Sequence, residues 1–412
     1  METSQSWIAN VEILNSLLRK ESWYNTFWAK FSGNVDISTR ENGNPVYTPS
    51  GKPIEVLNSF IAQGRDNMLI PFIKNLTGAP VYGDTVLKGT GEDQTMNWLR
   101  AYVNQYRKAV MKKSGSMSEQ RQKMFKLYDE ARPQLAEWFT KWENQAIFQA
   151  FYEGVSPNLS TGTASDGLGL ARRYHPNWYM NDDAVLTALG GAEKTTKTNA
   201  NVDGLSACNT AMTSAILRSL RIKCMELKIP QIETKGGYKY WALVMHPAQL
   251  ASLQGDSDYE TAQRYAFTGH KNDLPEINGM AGAYAGFCIF EDIVGIREWD
   301  AGNSTLFGTT TSARMDATAV GTGIYNAIVF SNSAMGKGVA KDLSFTDEVD
   351  DHKNTVEIGG AVINGYNRAD FFAEADGTEG SGDAFYGNQS AAHDSAALSC
   401  INQSSLIIAT KD

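Results

Sequence analysis

The longest amphipathic pattern in the chain runs through residues 125–151. Its apolar residues recur mostly at spacings of three and four, which is the periodicity of one face of an α-helix. Ser116 or Ser118 can cap its beginning, Gly154 follows its end, and Pro133 can kink or divide it. At ~1.5 Å per residue, the helix would be roughly 50 Å long, which is typical of a structural spine. The apolar positions are Phe125, Tyr128, Ala131, Leu135, Trp138, Phe139, Trp142, Ala146, Phe148 and Phe151.

A segment of extended structure precedes this helix. Residues 32–95 contain β-like runs at 54–61 and 68–76 between clusters of turn-forming residues. Two further β-prone runs follow at 96–103 and 105–111. The segment 32–95 has no obvious core of its own, and an excursion of about sixty residues from a compact domain needs a partner surface.

The first 31 residues carry many aromatic residues at helical spacing, among them Trp7, Trp23 and Trp28. A short terminal segment of this kind cannot bury its apolar face on itself. Two interpretations are therefore open. The segment packs on its own domain, or it forms an arm that lies on a neighbouring subunit.

Residues 205–340 have the pattern of a compact α/β unit. A helix is predicted over 206–227, a buried strand over 240–245, and a short helix from Pro247 to Leu253, since proline is favoured at the first helical position. The inward positions of the first helix are predicted to be Cys208, Ala211, Met212, Ala215, Ile216, Leu220 and Leu227. Further strands are predicted within 286–293, 326–331, 356–372 and 406–409, and long polar loops at 155–204, 301–323 and 375–394.

Composition and charge narrow the class of protein. The 412 residues suffice for two or three domains, and 42% hydrophobic with 20% charged residues is an ordinary globular composition. The formal net charge of −9 argues against a broad basic face that grips nucleic acid, although a protein that encloses DNA remains compatible with it. No apolar run approaches the ~18 residues of a membrane span, and the N-terminus lacks a signal-peptide pattern. We expect a protein that is cytoplasmic when synthesised.

Residues that usually carry catalysis or bind metals are scattered. The histidines are never within four residues of one another, and His246 at a predicted strand end is favoured as a structural residue. The glycine-rich stretch 279–286 precedes a strand and matches neither a dinucleotide fingerprint nor a phosphate loop. The acids within 342–351 lack calcium-loop spacing, so a solvated loop is expected, with weak cation binding as the alternative. The spacing of Cys208, Cys224, Cys288 and Cys400 matches no metal or redox motif, which favours buried thiols. We predict no catalytic, cofactor-binding or metal-binding residue.

Blocks of sequence around the long helix resemble those of a known family. Residues 83–92 read GDTVLKGTGE, 104–110 read NQYRKAV and 117–121 read MSEQR. In this order and spacing they resemble the major capsid proteins of N4-like tailed bacteriophages, in which an acidic pair lies slightly earlier and an Asp stands where this chain has Asn104. The run Met245-His246-Pro247, the glycine-rich hairpin at 278–287 and the closing strands at 356–372 are similar to further blocks of that family.

The resemblance implies an α+β chain with the HK97-like capsid fold. It assigns residues 1–35 to an N-terminal arm and 36–95 to an E-loop that lies across an adjacent subunit. Residues 96–204 would form a peripheral domain with the spine helix and a long loop. Residues 205–340 would form an axial domain, and 341–412 the remaining peripheral-domain strands and the C-terminus.

The implied function is that of a major capsid protein, which is a structural protein and not an enzyme. Hexamers and pentamers would close into an icosahedral shell around the double-stranded DNA genome of a phage, first in the host cytoplasm and finally in the virion. Expected partners are further copies of the chain, a separate scaffolding protein and a portal, with a decoration protein as a further candidate. No cofactor and no membrane are implied.

Two alternatives stay open beside this function. One is an encapsulin-like nanocompartment shell, which shares the fold, and the other is a soluble α/β enzyme. Some members of the wider fold crosslink an E-loop lysine to a neighbour, and Lys52 and Lys88 lie in that region. Since no motif here supports that chemistry, we expect uncrosslinked subunits.

Overall fold

The computed structural model describes a set of ranges that carry the main elements of the chain. These are residues 27–39, 45–48, 50–58, 67–73, 80–82, 91, 96–111, 131–160, 175, 177–179, 210–233, 237, 239–269, 280–292, 304–306, 309–311, 324–350, 355–369, 371–372, 400–402 and 404–412.

The described helices comprise one long helix and several short ones. Within the described ranges, none is long and apolar enough to cross a membrane. A 3₁₀ turn at Phe27–Phe31 precedes them. They are α1 (Ala131–Glu153), α2 (Pro157–Ser160), α3 (Ser214–Glu226), α4 (Pro247–Gln254) and α5 (Ser257–Gly269).

Helix α1 contains the predicted spine from residue 131 onward, and the predicted start near Ser116 lies outside the described residues. Gly154 ends the helix with a φ of 83°, and its N–H donates to the Ala150 carbonyl at 2.9 Å. Among the predicted apolar positions, Trp138 is only half-buried. The others that are described are buried, namely Leu135, Phe139, Trp142, Ala146, Phe148 and Phe151.

A five-stranded sheet packs against α1. Its order is β1, β4, β16, β17, β7, with β16 and β17 forming a long antiparallel hairpin. Strand β7 pairs antiparallel with β17, whereas β4 runs parallel to both β16 and β1. The strands are β1 (Ser32–Asn34), β4 (Ile54–Leu57), β7 (Asn104–Met111), β16 (Met335–Asp350) and β17 (Thr355–Arg368).

A seven-stranded sheet forms the second layer. Its main path is β11, β12, β10, β15, β20, β8, and β9 pairs with β10 beside it. The strands are β8 (Trp178–Tyr179), β9 (Ile232–Glu233), β10 (Lys239–Met245), β11 (Met280–Tyr284), β12 (Phe287–Glu291), β15 (Ile324–Phe330) and β20 (Ser405–Lys411).

Two-stranded ribbons complete the described structure. They are β2 (Asp36–Thr39) with β3 (Pro45–Thr48), β5 (Asn67–Ile73) with β6 (Met96–Tyr102), β13 (Ser304–Leu306) with β14 (Thr309–Thr311), and β18 (Phe371–Phe372) with β19 (Cys400–Ile401).

The two large hydrophobic clusters lie on opposite faces of the seven-stranded sheet. Along β10, Ala242 and Val244 belong to the cluster shared with α1, while Leu243 and Met245 belong to the cluster shared with α3 and α4. Successive strand residues point to opposite faces, so a strand covered on both sides is apolar throughout. Because β10 is covered on both sides, its sequence is a continuous apolar run, and that run predicted the strand.

The C-terminal strand lies in a different sheet from β16 and β17. The resemblance assigned residues 341–412 to the peripheral strands, but β20 pairs with β15 from Ser405 to Lys411 in the seven-stranded sheet. Leu406 and Ile408 enter one cluster, and Ile407 enters the other. Between β15 and β8, both faces of β20 are covered.

The acidic stretch 342–351 is also corrected where it is described. It was expected as a solvated loop, but β16 continues to Asp350. Leu343 and Phe345 pack towards α1. The described part of the stretch is therefore a strand on which Leu343 and Phe345 face α1, which charge alone does not reveal.

Two predicted boundaries move. Strand β4 lies inside the predicted E-loop segment but belongs to the five-stranded sheet. Strand β6 (from residue 96) pairs with β5 (to residue 73), so the predicted boundary at residue 95 divides one ribbon. The helix predicted over 206–227 begins at Ser214, where Thr213 caps it.

The inward face of that helix was predicted in part. Met212, Ile216 and Leu220 are buried as predicted. Ala215 is exposed, and Leu217 and Cys224 are buried instead. Cys208 lies outside the described residues.

Candidate assembly junction

An aromatic cluster joins residues 27–31, the root of the predicted N-terminal arm, to α1 and to the seven-stranded sheet. Trp28 is completely buried, and its ring centroid lies 4.9 Å from that of Phe148, 5.3 Å from Phe151 and 5.1 Å from Phe330. The two phenylalanines of α1 and the one of β15 belong to different layers. One side chain of the arm root therefore holds the layers together.

Phe31 and Lys30 extend this contact to β12, which β10 separates from β15 in the same sheet. Phe31 packs edge-on against Phe290 at 5.1 Å, and the Lys30 ammonium lies 4.4 Å from the centroid of the same ring. Burial lowers the pKa of Lys30, while the charge of Asp292 acts in the opposite direction. Residues 27–31 thus pack on their own subunit, and residues 1–26 lie outside the described structure.

A buried carboxylate fixes the chain that leaves the ribbon β2–β3. Glu55 accepts hydrogen bonds from the Ser50 amide at 2.9 Å, the Ser50 hydroxyl at 2.6 Å and the Ser333 hydroxyl at 3.0 Å. The Ser333 and Met335 amides donate to the carbonyls of Lys52 and Pro53. Residues 50–57, the root of the predicted E-loop, are therefore fixed on the five-stranded sheet, whereas the sequence predicts no core for the segment 32–95.

A second buried network lies between α1 and this sheet. The Lys337 ammonium is 2.7 Å from Glu143 Oε1, and the Tyr366 hydroxyl donates to the same oxygen. Burial is the main cause that raises the pKa of Tyr366, and the Glu143 charge adds to it. Asn364 donates to the Tyr106 hydroxyl at 3.3 Å, and the Tyr106 ring stacks on Trp142. These polar groups fix the position of α1 over the hairpin β16–β17.

A buried arginine closes the end of α1. Arg368 is fully buried, and its Nη1 donates to the carbonyls of Phe151 at 2.5 Å and Tyr152 at 3.2 Å. Its amide donates to the Gly154 carbonyl at 2.9 Å. The last carbonyls of a helix lack partners within the helix and carry partial negative charge, so a guanidinium there satisfies and stabilises them.

His175 belongs to a buried polar network that holds β8 to β20. Its Nδ1 accepts from the Asn177 amide at 3.0 Å, so in the neutral ring the proton is on Nε2, which contacts the Ser405 hydroxyl at 2.8 Å. Ser405 in turn contacts Asn402 Oδ1 at 3.1 Å. A histidine with this tautomer cannot take a proton from the serine, and the group is closed to solvent. The network is structural.

The other residues considered for chemistry are also placed in structural roles or lie outside the described ranges. His246 caps α4 by accepting from the Ala248 amide, and its ring stacks on Tyr325 at 4.3 Å. Cys224 and Cys288 are free and buried. In the part of the chain that the structure describes, no three His, Cys, Asp or Glu side chains are grouped as a metal site would require. His270, His352 and His393 lie outside that part.

The described part of the glycine-rich stretch, residues 280–286, forms β11 and the tight turn that leads to β12. Ala285 and Gly286 occupy the turn with φ values of 51° and 88°. Positive φ at both central residues is the signature of a type I′ turn. The described part of the stretch is therefore one strand and the turn of a β-hairpin.

The residues of this junction could be found only in part from the sequence. The burial of Phe148 and Phe151 follows from helical periodicity, but their meeting with Trp28 and Phe330 does not. The sequence does indicate that Glu143 is buried, because this carboxylate lies on the apolar face of α1 between Trp142 and Ala146. A buried charge at such a position needs a partner, and the sequence does not name it.

Fold and junction together define a class of protein. The two sheets share one hydrophobic core, and residues 27–31 and 50–57 are fastened to it. The chain matches the family described as Phage capsid protein over residues 37–386, and it therefore belongs to that family.

Solved capsid structures share the fold. The capsid of Ralstonia phage GP4 is 14% identical, with 94% of this chain and 91% of that chain covered and a TM-score of 0.56. The Cyanophage Pam1 capsid is 15% identical, with 88% and 89% covered and a TM-score of 0.56. The acidic stable capsid of Helicobacter pylori bacteriophage KHP30 is 11% identical, with 94% and 92% covered and a TM-score of 0.59. No curated protein matches the chain.

The predicted class is thereby confirmed. The chain is an α+β capsid protein of the HK97-like fold, a structural component of the virion and not an enzyme. The narrower likeness to N4-like phages stays a prediction.

Proposed function

We propose that the chain is the major capsid protein of a tailed phage and assembles as hexamers and pentamers into an icosahedral shell around double-stranded DNA. Family membership and the capsid fold support self-association. The observation that carries the proposal is the fastening of the extension roots at Trp28 and Glu55 to the subunit core. A two-stranded ribbon is marginally stable by itself, so ribbons fixed only at their roots need a neighbouring copy to cover them.

The proposed division of labour follows the two sheets. The five-stranded sheet and α1 form the peripheral domain, and the seven-stranded sheet with α3, α4 and α5 forms the axial domain around the capsomer centre. Residues 405–411 are assigned to the axial domain because β20 lies within its sheet. The ribbon β5–β6 is assigned to the E-loop.

Assembly by repeated contacts is the proposed mechanism. Heterologous contacts between identical subunits generate rings, and a closed shell multiplies contacts that are individually weak. The rigid junction keeps the arm root, the ribbon root and the two sheets at fixed angles, so each added copy meets the same geometry. A net charge of −9 suits a container, since a strongly basic wall would hold packaged DNA by its phosphates.

The partners beyond the chain itself are part of the proposal. A separate scaffolding protein and a portal would direct assembly, and a decoration protein is a further candidate. The subunits are proposed to stay uncrosslinked. Denaturing gels of purified shells would then show a band at the monomer mass of 45.1 kDa, and high-mass ladders would contradict this point.

The experiment that tests the function is isolation of native particles from infected cells. Particles that contain this chain as the main protein and protect DNA from nuclease would support the phage shell. Particles filled with an enzyme instead would support an encapsulin-like compartment, and a small soluble oligomer would contradict both.

A further inference from the structure

Among the described residues, the face of the five-stranded sheet turned away from α1 is partly or fully exposed over β7, β17 and β16. Residues directly opposite each other across a ladder share a face. Facing outward are Arg107, Ala109 and Met111 on β7, Glu357, Gly359 and Ala361 on β17, and Ser344, Thr346 and Glu348 on β16. Near the E-loop root, a small cluster around Leu57, Val103 and Ile363 covers the remainder of this face.

The end of this face farthest from the E-loop root is acidic and apolar. Glu348 and Glu357 lie directly opposite each other, and Met111 follows in the same row with 64% of its surface exposed. Like charges at directly opposed positions destabilise a ladder. Among the described residues, neither carboxylate has a cationic partner within ion-pair distance. At this end of the sheet, the two carboxylates therefore repel each other and the Met111 side chain is left exposed to solvent.

The other end of the open face is basic. Arg107 and Lys341 are exposed, and within the described ranges neither forms an ion pair. Between the two ends, Ala109, Gly359 and Ala361 keep the surface low, so another chain can approach closely. The two charged ends cannot satisfy each other within one subunit, because four residues of rigid strand separate them by roughly 13 Å.

We propose that this face is a contact between copies of the chain, in which the Glu348/Glu357 end of one peripheral domain meets the Arg107/Lys341 end of another. The charges of the two ends are complementary, and both are carried by the same chain, so a second copy supplies the matching surface. Met111 is buried in the contact and the small residues allow the approach. This inference rests on the proposed self-assembly and names one of its surfaces.

Charge reversal tests the contact because its two ends can be changed separately. Glu348→Lys with Glu357→Lys reverses the acidic end, and Arg107→Glu with Lys341→Glu reverses the basic end. Each pair of substitutions should lower the fraction of protein sedimenting as particles by about tenfold, since like charges then meet across the interface. The four substitutions together restore complementarity, and assembly should return most of the way towards that of the natural chain.

A matched control separates this surface from a general effect of charge. Glu226 and Glu233 are exposed acids of the axial unit, and Glu226→Lys with Glu233→Lys makes the same change in net charge. That control should assemble as the natural chain does, and all variants should keep the unfolding temperature of the unassembled chain within a few degrees. The proposed contact would be overturned if either double variant assembled as well as the natural chain. It would also be overturned if the fourfold variant lost as much assembly as the two double variants combined. Failure of the natural chain to form particles would overturn the proposed function and this contact with it.

Discussion

Lys337 and Glu143 form a buried ion pair in which the ammonium lies 2.7 Å from a carboxylate oxygen between α1 and β16. Both side chains are about nine-tenths buried. Taking two charges out of water is costly, so the attraction within such a pair adds little net stability, whereas loss of one partner leaves an uncompensated buried charge. Here the pair fixes the position of α1 over the hairpin.

The first prediction concerns this pair. Lys337→Met leaves the Glu143 carboxylate buried without its cation and should destabilise the unassembled chain by about 3–5 kcal/mol. Adding Glu143→Gln removes the charge while keeping an acceptor for the Tyr366 hydroxyl, so the double variant should regain most of the loss. Urea unfolding measures both. A double variant no more stable than Lys337→Met would show that the pair does not act as described.

The second prediction concerns the arm root. Trp28→Ala removes a fully buried ring that contacts α1 and β15, and should cost about 3–5 kcal/mol. Ile222→Ala is the control, because that side chain is 60% exposed and its loss should change stability by no more than about 0.5 kcal/mol. Thermal unfolding of both variants provides the measurement. If residues 27–31 were only loosely attached, Trp28→Ala and Ile222→Ala would lower stability by the same small amount.

The third prediction compares two glycines of β17. A Cβ at Gly365 would lie 2.1 Å from the Tyr102 carbonyl oxygen, whereas at Gly359 the nearest atom would be the Thr346 hydroxyl at 3.4 Å. Gly365→Ala should therefore destabilise the chain by about 3 kcal/mol, at the upper end of overpacking effects. Gly359→Ala should leave the unfolding temperature of the unassembled chain nearly unchanged. Equal stabilities of the Gly365→Ala and Gly359→Ala variants would mean that β6 can move away from β17 freely.

The fourth prediction is a loss of stability at alkaline pH. Burial raises the pKa of Cys224 to about 12 and that of Cys288 to about 11, from an ordinary 9.0. The unfolded chain therefore loses these protons from about pH 9 upward while the native chain keeps them. Stability contributed by the neutral thiols is complete below pH 9 and declines as the pH rises towards 12.

Unfolding midpoints in urea across this range provide the measurement. Cys224→Ala with Cys288→Ala lowers stability at neutral pH through lost packing, but should flatten its decline above pH 9. An unchanged slope would contradict the assignment. Tyr106 and Tyr366, whose pKa values are also raised mainly by burial, contribute a further decline above pH 10 in both proteins.

Local features of this fold are readable in the sequence because they depend on neighbouring residues. The helix start at Pro247 follows from the fixed φ of proline, and the apolar face of α1 follows from periodicity. The tight turn before Phe287 follows from its glycine. The order of the family-like blocks then led to the correct fold.

The choice of partners between distant strands is not readable in the same way. The run Leu406 to Ala409 predicts a buried strand, but nothing in it selects β15 over β17 as the neighbour. Likewise, the acids of β16 suggest a solvated loop, because the i, i+2 spacing of Leu343 and Phe345 identifies a strand only once α1 covers one face. The junction at Trp28 depends on three segments far apart in the chain.

Electron microscopy of the purified full-length chain, expressed with and without the proposed scaffolding protein, tests the proposed assembly most directly. We expect closed icosahedral particles in which the chain occupies both fivefold and sixfold positions, with the ribbon β5–β6 lying on an adjacent copy. A chain that stays monomeric or forms only a small oligomer, with α1 and both sheets intact, would contradict it.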